Sequence, residues 1–406
     1  MRERLRSATQ SRSVVALAPG ASVAFELVAD SWRAGFTVRD GVVAPIDSDS
    51  ATSAVDFTLA AGDKVWEKLS ADRPIAGEHS IVYLVRTGAV ELTGDPRAYD
   101  RNVQIVRALV DAARQGSVHS EIGKPLQAVG AYHRVSTSLG TSDIYIERAG
   151  SGIPLLAFAT AGSDISQWHG VMTHSNLTDR FELITADLPW HGRSSPLWGD
   201  PVGSYQLTPE TYTEYIVAIC DVLELDRPIL LGVSMAGAAV VHAVATQPSR
   251  FAGAVSCQTG PSVQARRNEH LRGTRVNPTL FIPEWTYGLM NPASPEEFKQ
   301  RVWWGYSSGG FGLYAADIDS YLSWDFAVVE HLLTQKSPHI ALMSGAFDTS
   351  VPPERSRELA SRIPNSSFEV MPELGHFPHA ENPAAFVRYL EPALARVLDS
   401  GESQSR

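Results

Sequence analysis

The stretch Leu230–Gly237 (LLGVSMAG) decides how the rest of the sequence is interpreted. An apolar segment typical of a buried β-strand ends at Val233, and a segment of small residues typical of an α-helix begins at Met235. Ser234 therefore lies on the turn between them. A tight turn of this kind lifts a serine hydroxyl clear of its own backbone, and the helix start directs the Met235 N–H toward an oxygen that becomes negative. We predict Ser234 as a nucleophile and Met235 as an oxyanion donor.

The residues that would activate this serine follow later strands. From Tyr132 onward, strand-like and helix-like segments alternate, which predicts a doubly wound, mostly parallel sheet covered by helices on both faces. Asp348 follows the strand HIALMSG, and His376 follows the strand SSFEVMPE. Because carboxyl ends of parallel strands share one edge, we expect His376 as the base and Asp348 as the acid that orients it. His379 is a rival base, and His191 is a further catalytic candidate.

A second oxyanion donor is expected in the loop after the first long apolar strand. That loop, Ala159–Asp164 (ATAGSD), is made mostly of small residues, which lets its backbone N–H groups face the site. Thr160 and Ala161 are the candidates.

The assembled motifs carry a family resemblance. Residues from about 131 to 398 resemble the α/β-hydrolase family through AFATAGSD, DLPWHGRSS, GVSMAG, SGAFDTSVPP and ELGHFPHAENP. The resemblance implies Ser234 as nucleophile, Asp348 as acid and His376 as base. Many members carry a His-Gly pair in the oxyanion loop, whereas Ala159 and Thr160 stand there in this chain, so the shape of the hole differs.

An insertion of mainly helical sequence at about 260–336 is similar to the cap that covers the site in this family. Its aromatic content suits an apolar or aromatic substrate. We predict substrate contacts from these aromatic residues together with one in an earlier helix: Trp168, Trp285, Trp303, Trp304, Tyr306 and Trp324. A substrate carboxylate could be held by a cap arginine, and the alternative for each is a solvated surface position: Arg266, Arg267, Arg272, Arg275 and Arg301.

The sequence before this region has a different pattern. Residues 20–118 predict a small α+β domain, in which 79–95 forms a hairpin or a paired strand, and residues 119–130 predict a linker. We expect disordered tails at 1–19 and at the C-terminus. The segments VDFTLAAGDKVWEKL and GAVELTGDPRAY are similar to sterol-carrier-type lipid-binding domains, which implies an apolar cavity or a degenerate copy used for homodimer contacts.

Composition narrows the class of protein. The chain has 406 residues, 44% of them hydrophobic, and a net charge of −11. An acidic balance disfavours nucleic acid and anionic membrane as partners. No apolar run reaches the roughly 18 residues of a membrane span, and the charged N-terminus does not resemble a secretory signal. We expect a cytoplasmic protein that acts on a small molecule without a metal or cofactor.

The leading prediction is a serine hydrolase that cleaves a carboxylic ester or related acyl bond of a small, largely apolar or aromatic molecule. Three alternatives stay open. The same residues can cleave C–C bonds of ring-fission or β-diketone-like products. The fold also serves as a non-catalytic small-molecule receptor. A cofactor-free dioxygenase would keep His376 and Asp348 and tolerate loss of Ser234.

Overall fold

A computed structural model describes residues 1–46, 55–114, 116–263, 268–273 and 275–404, with only the backbone for 402–404. Within this part of the chain there are two sheets. The first belongs to a front module, residues 1–114, and has the strand order β3-β2-β1-β4-β5. Its strands are β1 (Val23–Val28), β2 (Arg33–Arg39), β3 (Val42–Ile46), β4 (Phe57–Ala60) and β5 (Glu91–Gly94), and its helices are α1 (Arg2–Ala8), α2 (Arg12–Leu17), α3 (Asp63–Leu69), α4 (Ile81–Arg86) and α5 (Pro96–Ala112).

Alternating burial along β1, β2 and β4 gives the front module its core. Phe25 stacks on Phe57 with ring centroids 5.3 Å apart, and Phe57 meets the edge of Tyr99 from α5 at 5.6 Å. Helix α5 covers this apolar face with a stripe of buried residues that includes Val103 and Val106. The small α+β module predicted from the sequence is therefore present.

Two predictions about the front module were wrong. Residues 1–19 are not a disordered tail, because α1 and α2 bury Leu5 and Val14 completely. Residues 81–86 form a helix rather than a strand. Ser80 caps it by accepting the Tyr83 N–H at 3.2 Å, and Ile81 is buried on its inner side. In both cases tertiary burial overrides the local pattern of charged or β-branched residues.

The second sheet carries the large module. Its order is β13-β12-β11-β10-β8-β9-β7-β6, and only β7 runs antiparallel to its two neighbours in the described chain. The predicted mostly parallel, doubly wound sheet is confirmed. The strands are β6 (Val129–Thr137), β7 (Gly140–Ala149), β8 (Ile153–Phe158), β9 (Phe181–Ala186), β10 (Ile229–Val233), β11 (Gly253–Cys257), β12 (His339–Gly345) and β13 (Ser366–Met371).

Helices cover both faces of this sheet because its central strands are buried throughout. Three helices between β11 and β12 form the predicted cap: α9 (Pro278–Tyr287), α10 (Glu296–Ser307) and α11 (Leu313–Leu322). The remaining helices are α6 (His169–His174), α7 (Pro209–Val222), α8 (Met235–Thr246), α12 (Pro353–Arg362), α13 (Pro378–Glu381) and α14 (Pro383–Gln404), so the C-terminal tail is helical as far as residue 404.

The segment expected to be a linker is tied to the large module. The Ser120 N–H donates to Glu297 of α10 at 3.0 Å, and the Lys124 N–H donates to the Thr173 carbonyl at 3.0 Å. Its last two residues already belong to β6. No helix in the described residues is long and apolar enough to cross a membrane.

The front module docks onto the cap through a buried ion pair. Arg107 of α5 donates two hydrogen bonds to Glu284 of α9, each 2.8 Å long, and Glu284 is fully buried. Trp303 donates its indole N–H to the same carboxylate at 2.8 Å.

A second contact joins the front module to the segment after α9. Burial and Arg114 lower the pKa of His79 to about 4, so its neutral ring donates to the Gly288 carbonyl at 3.0 Å. A homodimer through the front module stays a prediction.

Replacing Arg107 by methionine should destabilise the protein by about 3–5 kcal/mol, because it leaves the Glu284 carboxylate buried without its counter-charge. The double variant Arg107→Met/Glu284→Gln should regain most of this loss. Urea unfolding of the three proteins measures it. Arg388→Met is the matched control, since Arg388 forms a 2.8 Å pair with Glu373 at the surface, where an ion pair contributes little. Equal losses in Arg107→Met and the control would contradict a special role for the buried pair.

Candidate active site

Ser234 lies on the sharp turn that the sequence predicts. Its backbone has φ +61° and ψ −119°, between the end of β10 and the first residue of α8. A Cβ at Gly232 would overlap the Ala236 carbonyl, and a Cβ at Gly237 would overlap the Thr259 hydroxyl. The turn therefore needs glycine at both positions, while the alanine between them is accommodated.

Two further side chains form a series of hydrogen bonds that starts at the Ser234 hydroxyl. His376 Nε2 is 2.9 Å from Ser234 Oγ, and His376 Nδ1 is 2.7 Å from Asp348 Oδ2. All three residues are 2% exposed, so bulk water does not compete for these bonds. A carboxylate accepts only from a protonated nitrogen, so Nδ1 carries the hydrogen and Nε2 is left to accept from the serine. The structure thus brings together the three residues singled out as catalytic.

Backbone groups hold the Asp348 carboxylate in place. Its Oδ1 accepts the N–H groups of Ser350 at 2.7 Å and Val351 at 3.0 Å. The other oxygen is then aimed at His376. These two hydrogen bonds fix the orientation of the carboxylate.

The loop that carries His376 is fixed by residues that sequence reasoning missed. Glu381 accepts the Gly375 N–H with one oxygen and the Asn291 N–H with the other, the second at 3.0 Å. The His376 N–H donates to the Leu289 carbonyl at 2.9 Å. Because Leu289 and Asn291 follow α9, the position of His376 depends on the cap.

Gln258 links the loop that carries His376 to β12, the strand that ends shortly before Asp348. Its side-chain amide donates to the Gly375 carbonyl at 2.6 Å, and its oxygen accepts the Gly345 N–H at 3.1 Å. Gln258 comes directly after β11 and has φ +56°. In the sequence, Gln258 is followed by Thr259 and Glu381 by Asn382, and a polar residue among polar neighbours does not specify a role.

The predicted oxyanion donors differ in whether their backbone N–H groups already have an acceptor. The Met235 N–H is at the start of α8, where backbone donors have no helical acceptor. Thr160 is not a free donor, because its N–H donates to Gln167 Oε1 at 3.1 Å. The Ala161 N–H has no acceptor among the described residues. Of the two candidates in this loop, the geometry leaves Ala161 available.

The rival base, His379, has another environment. Its Nε2 donates to Gln167 Oε1 at 3.3 Å, and its ring packs on Trp168 with centroids 4.3 Å apart. Burial and the nearby His376 lower the pKa of His379 to about 3. A side chain with so weak an affinity for protons is unsuited to act as a general base.

Of the predicted substrate-contacting aromatics, only Tyr306 is brought to the oxyanion loop, where its hydroxyl is 2.6 Å from Thr160 Oγ1. Trp168 is fully buried, against His379 and Phe386, and its contact with substrate stays a prediction.

The other tryptophans make contacts that the sequence did not predict, and their contact with substrate stays a prediction. Trp285 stacks on Phe281 and lies under Arg86 of the front module. Trp303 binds Glu284 in the docking ion pair. Trp304 is 69% exposed, and buried Trp324 donates to the Gly260 carbonyl at 2.9 Å.

The cap arginines give no carboxylate site within the described chain. Arg272 pairs with Asp319 at 3.0 Å, and the side chains of Arg275 and Arg301 are exposed. Arg266 and Arg267 lie outside the described residues.

Comparison with known proteins identifies the architecture. The sequence profile of the family described as alpha/beta hydrolase fold matches residues 154–383, which is more than half of the chain. An uncharacterized protein of Mycobacterium tuberculosis is 23% identical over 284 residues, covering 63% of this chain and 77% of that protein.

Solved structures agree on the fold. A thermophilic esterase from Thermogutta terrifontis has a TM-score of 0.57 and 23% identity, and the match covers 66% of this chain and 99% of that one. The enol-lactonase from Burkholderia xenovorans has a TM-score of 0.54 and 18% identity, covering 65% of this chain and 100% of that one. An esterase from Exiguobacterium antarcticum has a TM-score of 0.56 and 18% identity, covering 66% and 100%.

Glu381 gives a pH-dependent test of the loop that carries His376. Burial raises the pKa of Glu381 from 4.5 to about 8, although two backbone N–H groups oppose the shift. The folded protein therefore holds a proton that the unfolded chain releases near pH 4.5. This contribution to stability is fully present below pH 4.5 and is lost as the pH rises through 8.

We expect the unfolding free energy of the wild type to fall relative to that of Glu381→Gln as the pH rises from 5 to 9. Urea unfolding at several pH values measures it. Glu373→Gln is the matched control, because hydrogen bonds from Tyr389 and Arg388 outweigh burial and lower the pKa of Glu373. Its difference from the wild type should stay flat over this range. A flat difference for Glu381→Gln as well would contradict a raised pKa.

Proposed function

The chain belongs to the alpha/beta hydrolase fold family, and we propose that it is a serine hydrolase of carboxylic esters of small, largely apolar or aromatic molecules. The observation that carries the proposal is the unbroken series of hydrogen bonds from Ser234 through His376 to Asp348, at 2.9 and 2.7 Å. A serine hydroxyl is a weak nucleophile until a base in this position accepts its proton.

In the proposed mechanism, Ser234 Oγ attacks the ester carbonyl while His376 Nε2 accepts its proton. The resulting imidazolium is stabilised by Asp348, which stays ionised. The tetrahedral oxygen accepts the N–H groups of Met235 and Ala161. Collapse breaks the bond to the alcohol, which leaves with the proton from His376. Water then attacks the acyl-enzyme by the same steps, releasing the acid and restoring Ser234.

Two features support an apolar ester as the substrate class. Aromatic side chains surround the oxyanion loop, since Tyr306 packs against Tyr314 and Phe377 at 5.7 and 5.6 Å between centroids. Two of the structural neighbours are named as esterases and one as an enol-lactonase. Those names belong to the neighbours, and they make esters and lactones the first substrates to test.

Ser234→Ala should reduce hydrolysis of p-nitrophenyl acetate and butyrate by about 10⁴-fold or more, because it removes the nucleophile. A fluorophosphonate probe should label the wild type at Ser234, located by mass spectrometry of the peptides, and should not label this variant. Ser136→Ala, on exposed β6, is the control that keeps wild-type turnover.

The same measurements separate the alternatives. Turnover that survives Ser234→Ala would overturn the serine mechanism and favour a dioxygenase that keeps His376 and Asp348. Stoichiometric binding without turnover would favour a receptor. A panel of esters, lactones and ring-fission products, with Ser234→Ala as the blank, distinguishes ester cleavage from C–C cleavage.

A further inference from the structure

The oxyanion loop is held on both sides of Ala161 by the cap. On one side, the Thr160 hydroxyl is 2.6 Å from the hydroxyl of Tyr306 on α10. On the other side, the Gly162 N–H donates to Asp317 Oδ2 of α11 at 2.6 Å. Ala161, whose N–H is the proposed donor, is the residue between these two contacts.

Helix α11 also packs directly on the loop. Gly162 has φ +69°, and a Cβ there would lie 2.8 Å from the Cβ of Tyr314 and 2.9 Å from its Cα. Only glycine tolerates both the backbone conformation and this close approach. The loop cannot shift toward α11, and a shift away from it would break the bond to Asp317.

Asp317 is itself fixed by a second contact. It is fully buried, and the same Oδ2 is 2.8 Å from His191 Nε2. His191 Nδ1 is 2.9 Å from the Pro189 carbonyl, which can only accept, so both ring nitrogens donate and the ring is positively charged. Burial alone would lower the pKa of His191, but the charge of Asp317 outweighs it and raises the pKa. His191 therefore orients Asp317, which corrects the view of it as a catalytic candidate.

We propose that Asp317 and Tyr306 are positioning residues through which the cap sets the Ala161 N–H in the oxyanion hole, so that the hole is complete only while the cap is seated. This inference rests on the proposed hydrolase function. An oxyanion donor acts only when it points at the oxygen of the tetrahedral species, and losing one donor commonly reduces kcat by about 10²–10³-fold. A substrate that props the cap away from the loop would bind and yet react slowly.

The test is Asp317→Asn, which keeps the side-chain shape. An amide oxygen in the place of Oδ2 can still accept both Gly162 N–H and His191 Nε2–H. It lacks the negative charge that strengthens both bonds, so it holds the loop and the His191 imidazolium more weakly. We expect kcat for a nitrophenyl ester to fall by about 10- to 100-fold with KM within threefold. The inhibition constant of a trifluoromethyl ketone, which places a negative oxygen in the hole, should rise in parallel with the loss of kcat/KM.

Two further variants complete the design. Tyr306→Phe removes only the hydroxyl and should show the same selective loss to a smaller extent; it decides the question if Asp317→Asn does not fold. Asp319→Asn is the control, since it lies two residues along the same helix and pairs with Arg272 near the surface. Its kcat and inhibitor affinity should match the wild type.

Failure of this inference is distinguishable from failure of the proposed function. Wild-type turnover that depends on Ser234, with unchanged kcat and inhibitor affinity in the folded Asp317→Asn variant, would overturn the positioning role alone. A change confined to KM would also overturn it, because it would mean that Asp317 shapes substrate binding. Absence of Ser234-dependent turnover in the wild type would overturn the function itself.

Discussion

The whole site depends on the positive φ of the Ser234 backbone. A non-glycine residue with φ +61° lies in a sparsely populated conformation that costs on the order of 1–3 kcal/mol, and it persists only where its surroundings enforce it. Here β10 fixes the turn on one side, α8 fixes it on the other, and the Ser234 N–H is held by the Cys257 carbonyl at 2.9 Å. The parallel sheet then brings the residues after β12 and β13 to the same edge, so that a hydroxyl, an imidazole and a carboxylate from distant parts of the chain form one series of hydrogen bonds.

The cap covers this site and also holds parts of its backbone in place. The Leu289 carbonyl, just after α9, holds the N–H of His376, while α10 and α11 hold the oxyanion loop. The front module reaches the same segment of the cap, because His79 binds the carbonyl of Gly288, and its ring packs against Phe347, the residue before Asp348. The front module thus contacts the residue next to Leu289, which holds the N–H of His376, and the residue next to Asp348, so it is structurally connected to the candidate site.

Sequence reasoning succeeded where a local pattern and a function require the same residue. The strand-turn-helix around Ser234, and a polar residue at the end of each later strand, located the three central residues and the parallel sheet. It failed where contacts between distant parts of the chain determine whether a segment folds or what a side chain binds. The charged segment at 1–19 folds because Leu5 and Val14 find an apolar surface, and the tryptophans of the cap were grouped by composition although Trp303 binds Glu284 and Trp304 is exposed. Thr160 looked like a free donor until the fold placed Gln167 beside it.

Three buried carboxyl groups hold the cap in position. Glu284, Asp317 and Glu381 have fully buried side chains, and each makes hydrogen bonds that cross from one part of the fold to another: front module to cap, cap to oxyanion loop, and cap to histidine loop. Replacing such groups by apolar ones often costs little stability, whereas separating one from its partners leaves an uncompensated buried charge or polar group. Small displacements of the cap are therefore strongly opposed, while complete removal would expose these groups to water and restore their hydration. A cap held in this way keeps the loop at Ala161 and the loop at His376 in fixed positions, and the positioning role proposed for Asp317 and Tyr306 requires this.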